Sequence, residues 1–230
     1  MTPPSTRSVA VAAENRHSCR AFTDRPVESR LVRELLATAQ LAPSWCNVQP
    51  WRVHVTAGAQ TDALRAFLAE RIPEATASYD VPPPGPYTGV YAERRRESGL
   101  ALYESLGIAR EDRPARLRQA WRNFTFFDAP HVAVLSVDRD LGPYALVDAG
   151  AWLSHFTLAA TDAGVATIAQ AAIASYSPLV REFFDLPEQW NVVCAVSLGY
   201  ADGTDPVNAF RTTRAELADV VEARGFDSWE

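Results

Sequence analysis

Between Ala145 and Ala163 the chain is apolar on nearly every side of a helix, with small residues at Ala149, Gly150, Ala151, Ala159 and Ala160. A helix with no polar face has to be covered all round. That requirement constrains the fold more than any other feature, because 230 residues supply little else to wrap one helix completely. The expectation is therefore a partner subunit on one of its sides.

The rest of the chain supplies a sheet and further helices. Apolar residues recur at Leu31, Val32, Leu35, Leu36 and Ala39, the spacing of a helix from about Glu28 to Leu41 that Pro43 stops. Trp51, Val53 and Val55 alternate with Arg52, His54 and Thr56, as in a half-buried strand. A helix is expected near 61–71, two charged amphipathic helices over 90–122 separated near Gly107, and a short helix over 178–185. His131 to Val137 and Asn191 to Leu198 are apolar and β-rich, as central strands are. The tail from Asn208 ends in a helix-prone stretch reaching Ala223. Helices and strands do not alternate strictly, which favours α+β over a doubly wound parallel sheet. No repeat or linker divides the chain, so one domain over 1–230 is expected, with 1–13 as an arm or short leading helix and 205–230 as a C-terminal extension.

Bulk properties exclude several classes. The formal net charge of −6 disfavours nucleic acid as the main partner. No run approaches the roughly 18 apolar residues of a membrane span. Residues 1–7 lack the apolar core of a signal peptide, so a cytoplasmic location is expected. The three cysteines Cys19, Cys46 and Cys194 have no CxxC spacing, and the four histidines form no HExxH pair, so no metal site is expected. The segment Tyr79–Tyr87, with prolines at 82, 83, 84 and 86, reads either as a lid beside a substrate site or as a surface spacer.

No GxxxxGK[ST] or GxGxxG pattern is present, so any phosphate has to be held by side chains, chiefly arginines. Two polar clusters meet that need. The first is Arg16-His17-Ser18-Cys19-Arg20, in which two arginines flank a serine. The second is Ala42-Pro43-Ser44-Trp45-Cys46-Asn47-Val48-Gln49-Pro50-Trp51, a turn rich in side-chain hydrogen-bonding groups. The helix between them is expected to bring both turns to one surface. Arg211 and Arg214 in the tail are further phosphate candidates; for each arginine the alternative is a solvated side chain.

The order of these motifs resembles the nitroreductase-like family of flavoproteins. The match runs from Asn15 to Phe22 through Pro43-Ser44…Asn47…Gln49-Pro50-Trp51 and Asn123-Phe124…Phe127-Asp128-Ala129-Pro130. It continues through Gly164-Val165-Ala166-Thr167…Gln170 and Ser197-Leu198-Gly199-Tyr200, and closes with Pro206-Val207-Asn208-Ala209-Phe210-Arg211-Thr212…Arg214. The similarity is greatest to the branch containing nitrobenzoate reductases. It implies a homodimeric α+β sheet-and-helix sandwich with two FMN molecules in the dimer interface.

Carried over residue by residue, Arg16, Ser18 and Arg214 would hold the FMN phosphate, with Arg211 as a weaker addition. Arg20 would sit beside N1 and the C2 carbonyl of the flavin ring. Pro43, Ser44, Trp45 and Asn47 would reach the flavin from the partner subunit, and backbone groups at Gln170 and Ala171 would lie near N5. His17 lies inside the first motif and is included among the cofactor contacts; its alternative is a packed or solvent-facing imidazole. Trp45 and Phe124 are candidate substrate-lining residues, with a core position the alternative for Phe124. Trp45-Cys46 departs from the small or polar pair usual in the family, which bears on substrate range.

The activity implied is NADH- or NADPH-driven reduction of a nitroaromatic or quinone-like acceptor through FMN, by a ping-pong scheme. Two alternatives stay open at the level of sequence: a specialised FMN-dependent oxidase or dehydrogenase acting in biosynthesis on a small cyclic or aromatic substrate, and a non-catalytic flavin carrier or dimeric scaffold.

Overall fold

Val132, Ala133, Val134 and Leu135 are all buried without an intervening polar position, because the strand that carries them is covered on both faces. The computed structural model describes residues 9–226. In it, strands β1 (Trp51–Ala57), β2 (His131–Asp138), β3 (Ala166–Gln170) and β4 (Trp190–Gly199) form one sheet in the order β1-β2-β4-β3. Every neighbouring pair is antiparallel. The α+β expectation holds, and the two predicted central strands do occupy the centre.

Helices α2 (Ser29–Ala39) and α6 (Tyr144–Asp162) cover one face of the sheet, and α3 (Ala59–Arg71) and α7 (Ser177–Phe184) the other. Period-2 alternation in β2 serves both layers. Ala133, Leu135 and Val137 pack with Leu35, Trp152 and Phe156, whereas Val132 and Val134 pack with Leu64, Leu68 and Val180. A register shift opposite Leu135 and Ser136, where β4 pairs through Cys194 and then Val192, leaves one extra residue in β4 as a bulge. At the end of β4, a Cβ on Gly199 would lie 2.7 Å from Cδ of Pro130 and 3.1 Å from the Phe22 ring, so close packing there requires glycine.

The helix α1 (Val9–Asn15) realises the short leading helix, and Ala12 is buried in it. Residues 1–8 of the expected arm lie outside the described residues. The Asp80 carboxylate pairs with Arg181 and accepts the Val192 N–H at 2.9 Å, pinning the base of the proline-rich segment to α7 and β4.

Within one chain helix α6 turns Trp152, Phe156 and Ala160 to the core and leaves Val147, Gly150 and Ser154 as an uncovered stripe, where a partner subunit was expected. Four expectations need correction. The helices α4 (Gly89–Ser105) and α5 (Arg113–Trp121) lie where two helices were expected, but neither buries a residue, so they present no amphipathic face to their own chain. The tail forms only a 3₁₀ turn at Leu217–Asp219 in place of a helix. Leu217 and Val220 are exposed there, and a short helix without packing is marginal in water. Strand β3 was not anticipated, because its alanine-rich five residues carry little β signal.

The remaining correction concerns the two polar clusters, which helix α2 does not bring together. The Trp45 N–H bonds Asp148 near the start of α6, whereas α1, which leads into the first cluster, lies beside Leu158, Ala159 and Asp162 near its end. At 1.5 Å per residue those ends are roughly 20 Å apart along α6.

Candidate functional site

Residues 16–20 behave as a short added edge of the sheet. Ser18 forms a parallel bridge with Thr167 of β3, and the Cys19 N–H donates to the Thr167 carbonyl at 3.0 Å. Extended backbone alternates its side chains. Cys19 and Ala21 therefore point inward, Cys19 joining Phe22, Phe127, Ala129 and Ile168 in a small cluster, while Ser18 and Arg20 point out. Burial pushes the Cys19 thiol up to about 11, so it acts as an inert packing residue.

On the outward side is a cavity of about 350 Å³. Ala13, Glu14, Arg16, His17, Ser18 and Arg20 line it from the N-terminal segment, and Phe210, Arg211, Thr212 and Arg214 from the tail. The sequence reading put Arg16, Arg211 and Arg214 at a phosphate and Arg20 at the flavin ring; the structure gathers all four into one pocket. Arg20 Nη1 donates to the Ser18 carbonyl at 3.1 Å, and its guanidinium lies over the Phe210 ring at 5.8 Å. Arg211 Nη1 donates to the Asn208 carbonyl at 2.7 Å, and Arg214 Nη1 to Thr212 Oγ1 at 2.7 Å. Among the described residues, none of the four is in an ion pair with a carboxylate.

That arrangement has an electrostatic signature. Desolvation, and then the charge of Arg214, lowers the pKa of Arg16; desolvation lowers that of Arg20. Both stay cationic at neutral pH, since a guanidinium loses its proton only far above neutrality. His17 is lowered too, first by burial and then by Arg211, Arg16 and Arg20, against the opposing effect of its Asn15 bond. It is therefore neutral, bonded through Nδ1 to the Asn15 carbonyl at 2.9 Å, and adds no further cation. Like charges crowded in one pocket disfavour one another until an anion enters. Planar forks around a serine hydroxyl are the donor set a phosphate dianion requires.

The other predicted contacts lie elsewhere. Pro43, Ser44, Trp45 and Asn47 do not line this pocket. They sit on an exposed turn in which Cys46, Asn47 and Gln49 have positive φ, braced by the Ser44 Oγ accepting the Gln49 N–H at 2.9 Å. Trp45 is 56% exposed, its ring edge-on to Tyr144 with centroids 4.3 Å apart.

Gln170 is fully buried. Its Nε2 donates to the Asn123 carbonyl at 2.8 Å and its Oε1 accepts the Ser197 hydroxyl. The side chain is consumed internally, which leaves only its backbone and that of the exposed Ala171 to offer to a ligand. Phe126 and Phe127 are core residues, both with positive φ. Phe124 is partly buried, touching Trp121 and Tyr176 at ring distances of 5.3 and 5.5 Å. Asn208, quoted only as part of a motif in the sequence, proves to be the side chain that ties the Arg20 backbone to the tail. Its only sequence signal was its place between the motif proline and Arg211.

The model of the Nitroreductase family matches residues 13–200. The chain belongs to the nitroreductase family. It is 33% identical over 213 residues to a 4-nitrobenzoate reductase of Pseudomonas putida, covering 93% of this chain and 94% of that protein. Among solved structures it resembles the FMN and NADPH-dependent nitroreductase NfnB of Sphigopyxis sp. strain HMH, with TM-score 0.92 and 34% identity over 96% of this chain and all of that one. The FMN-dependent nitroreductase NfnB of Mycobacterium smegmatis, solved in complex with NADPH, superposes with TM-score 0.88 at 33% identity, covering 94% and 99% of the two chains. The nitroreductase resemblance read from these ordered motifs is thus upheld along almost the whole chain. Among the described residues no helix is long and apolar enough to cross a membrane.

Proposed function

We propose that this nitroreductase-family protein is an FMN-dependent oxidoreductase that takes electrons from NADPH and reduces nitroaromatic acceptors, with quinone-like acceptors as a second class. The observation that carries the reading is the pocket in which Arg16, Arg20, Arg211 and Arg214 meet from opposite ends of the chain, four guanidiniums against the single carboxylate of Glu14, with which none of them is ion-paired. A phosphate monoester supplies the missing negative charge. Relatives and structural neighbours named for nitroaromatic reduction favour this reading over the oxidase alternative.

Bound FMN supplies the hydride chemistry, so no side-chain nucleophile or general base is required. The residues bind, orient and polarise. Arg16, Ser18 and Arg214 would hold the phosphate, with Arg211 beside them. Arg20, partly desolvated against Phe210, would bring positive charge to the flavin ring and so stabilise its reduced, negatively charged form. Backbone groups at Gln170 and Ala171 would be offered to the ring, steadied by the bonds of the Gln170 side chain to Ser197 and Asn123. One open site serving donor and acceptor in turn gives ping-pong kinetics.

The working unit is a homodimer in this proposal. Val147 and Tyr144 on α6 are exposed apolar residues, and α4 and α5 bury nothing within their own chain. A second copy covering these surfaces also accounts for the distance between the two polar clusters: Pro43, Ser44, Trp45 and Asn47 of each chain would reach the flavin held by the other. Trp45 and Phe124 then border the acceptor site, and residues 1–230 work as one domain whose two ends build one phosphate grip.

The test is an absorbance spectrum of the purified protein, followed by anaerobic titration with NADPH and then with a nitroaromatic. Expected are oxidised-flavin bands, bleaching by about one equivalent of NADPH per flavin, and their return with the acceptor. A colourless protein that takes up no FMN would overturn the proposal.

A further inference from the structure

Every polar group of Asn208 is engaged. Its Oδ1 accepts the Arg20 N–H at 2.9 Å, and its Nδ2 donates to the carbonyls of Ala21 at 2.7 Å and Asp202 at 2.9 Å. Its own carbonyl accepts Arg211 Nη1 at 2.7 Å, and its N–H donates to the Asp205 carbonyl at 3.1 Å. The residue is buried in the 3₁₀ turn Pro206–Ala209, whose start is capped by the Asp205 side chain accepting the Val207 N–H at 2.9 Å. A rigid turn thus presents one carboxamide to the N-terminal cationic segment and one carbonyl to a cation of the tail.

We infer that Asn208 is a positioning residue that sets the spacing between the two cationic arms of the pocket, so that recognition of the flavin phosphate depends on its carboxamide. The inference rests on the proposed reading of that pocket as the FMN phosphate site. The chemistry of the side chain is specific. Arg20 requires an acceptor for its N–H, and Ala21 and Asp202 require a donor between their carbonyls; a carboxamide provides both on one planar group. A carboxylate at 208 keeps the acceptor, loses the donor, faces two carbonyl oxygens, and adds a negative charge that competes with phosphate for the neighbouring guanidiniums. An alanine removes the partner of the Arg20 N–H and of the Asp202 carbonyl, takes one donor from the Ala21 carbonyl, which keeps the Asp202 N–H at 3.0 Å, and frees the tail arginines to drift from Arg16 and Arg20.

The prediction separates phosphate from ring. FMN and riboflavin share the isoalloxazine and ribityl groups and differ in the phosphate alone. Flavin-stripped wild type, Asn208→Ala, Asn208→Asp and Arg16→Ala are each titrated with FMN and with riboflavin, following quenching of flavin fluorescence. Thermal unfolding of each flavin-stripped protein is recorded alongside.

In both Asn208 variants FMN affinity is expected to fall about tenfold or more, which corresponds to about 1.4 kcal/mol. Riboflavin affinity is expected to stay within about twofold, because the Arg20 guanidinium keeps its bond to the Ser18 carbonyl while the tail cations lose their fixed position. Asn208→Asp matches the native side chain in shape and carries the test if the alanine variant does not fold. Equal weakening of both ligands, or an unchanged FMN-to-riboflavin ratio, overturns the inference, since a merely structural residue would act on both alike. If the wild type itself does not prefer FMN over riboflavin, the phosphate reading of the pocket fails instead. A loss of preference in Arg16→Ala with none in the Asn208 variants leaves the pocket standing and removes Asn208 from it.

Discussion

Asp148 accepts the backbone N–H of Trp45 through both carboxylate oxygens, at 3.1 and 3.2 Å. A largely buried anion on the core-facing side of α6 thereby holds an exposed turn whose Cys46, Asn47 and Gln49 all have positive φ. Left-handed backbone costs free energy for residues other than glycine, so a turn of this kind persists only where its surroundings hold it. Asp148 and the Ser44–Gln49 bond are what hold it.

Replacing Asp148 with alanine is therefore expected to cost about 2 kcal/mol, the scale of a hydrogen bond to a charged group. Asp148→Asn keeps one acceptor oxygen and should recover much of the loss. Urea unfolding of the three proteins checks this. Equal midpoints for the alanine variant and the wild type would show that the turn is held by something else.

Arg20 bears on redox behaviour rather than on retention of the phosphate. With Arg20→Ala the FMN midpoint potential should fall by about 30 mV or more, equivalent to about 1.4 kcal/mol for a two-electron couple. Arg20→Lys should restore part of it. The potential is read against a reference dye during anaerobic reduction, and a value unmoved in Arg20→Ala would place that guanidinium away from the ring.

His131 makes stability depend on pH. It is buried, its Nε2 accepts the Val27 N–H at 2.9 Å, and desolvation lowers its pKa from the ordinary 6.5, opposed by a backbone hydrogen bond at Thr56. The native state therefore holds it neutral while the unfolded chain takes up a proton below about 6.5. Its contribution is fully present above that pH and is lost as pH falls toward the depressed native value. His17 and His54 shift in the same direction. Urea midpoints measured at pH 7.5 and 5.5 should drop more in the wild type than in His131→Asn. Identical drops would mean that His131 binds protons equally in both states.

Gly199 should not tolerate a methyl group. The added Cβ would meet the Pro130 ring, which is fixed where residues 126–130 enter β2. Gly199→Ala is expected to destabilise by about 1–3 kcal/mol through overpacking. A variant with unchanged unfolding midpoint would show that the Pro130 segment yields freely. Because Phe22 touches the same point, the variant also tests how firmly residues 18–22 are seated on the sheet.

Local pattern alone carried much of this molecule. Period 3.6 at Leu31–Ala39 and period 2 at Trp51–Thr56 predicted α2 and β1 closely, because each element buries a face whose spacing is written in consecutive residues. The apolar runs at 131–137 and 191–198 marked the two central strands for the same reason. Residue types also carried the chemistry: arginines flanking a serine can grip phosphate wherever they meet.

Only the tertiary structure decided where they meet. Convergence of Arg16 with Arg214, the seating of Ser18 against Thr167, and the latch from Asn208 to Arg20 are contacts between distant parts of the chain, and no periodicity encodes them. The same reason explains the errors. Strand β3 exists because β4 offers it an edge, and the tail stays unwound because nothing within the described residues covers Leu217 and Val220. Spacing fixes which side of an element is apolar; packing fixes what, if anything, that side touches.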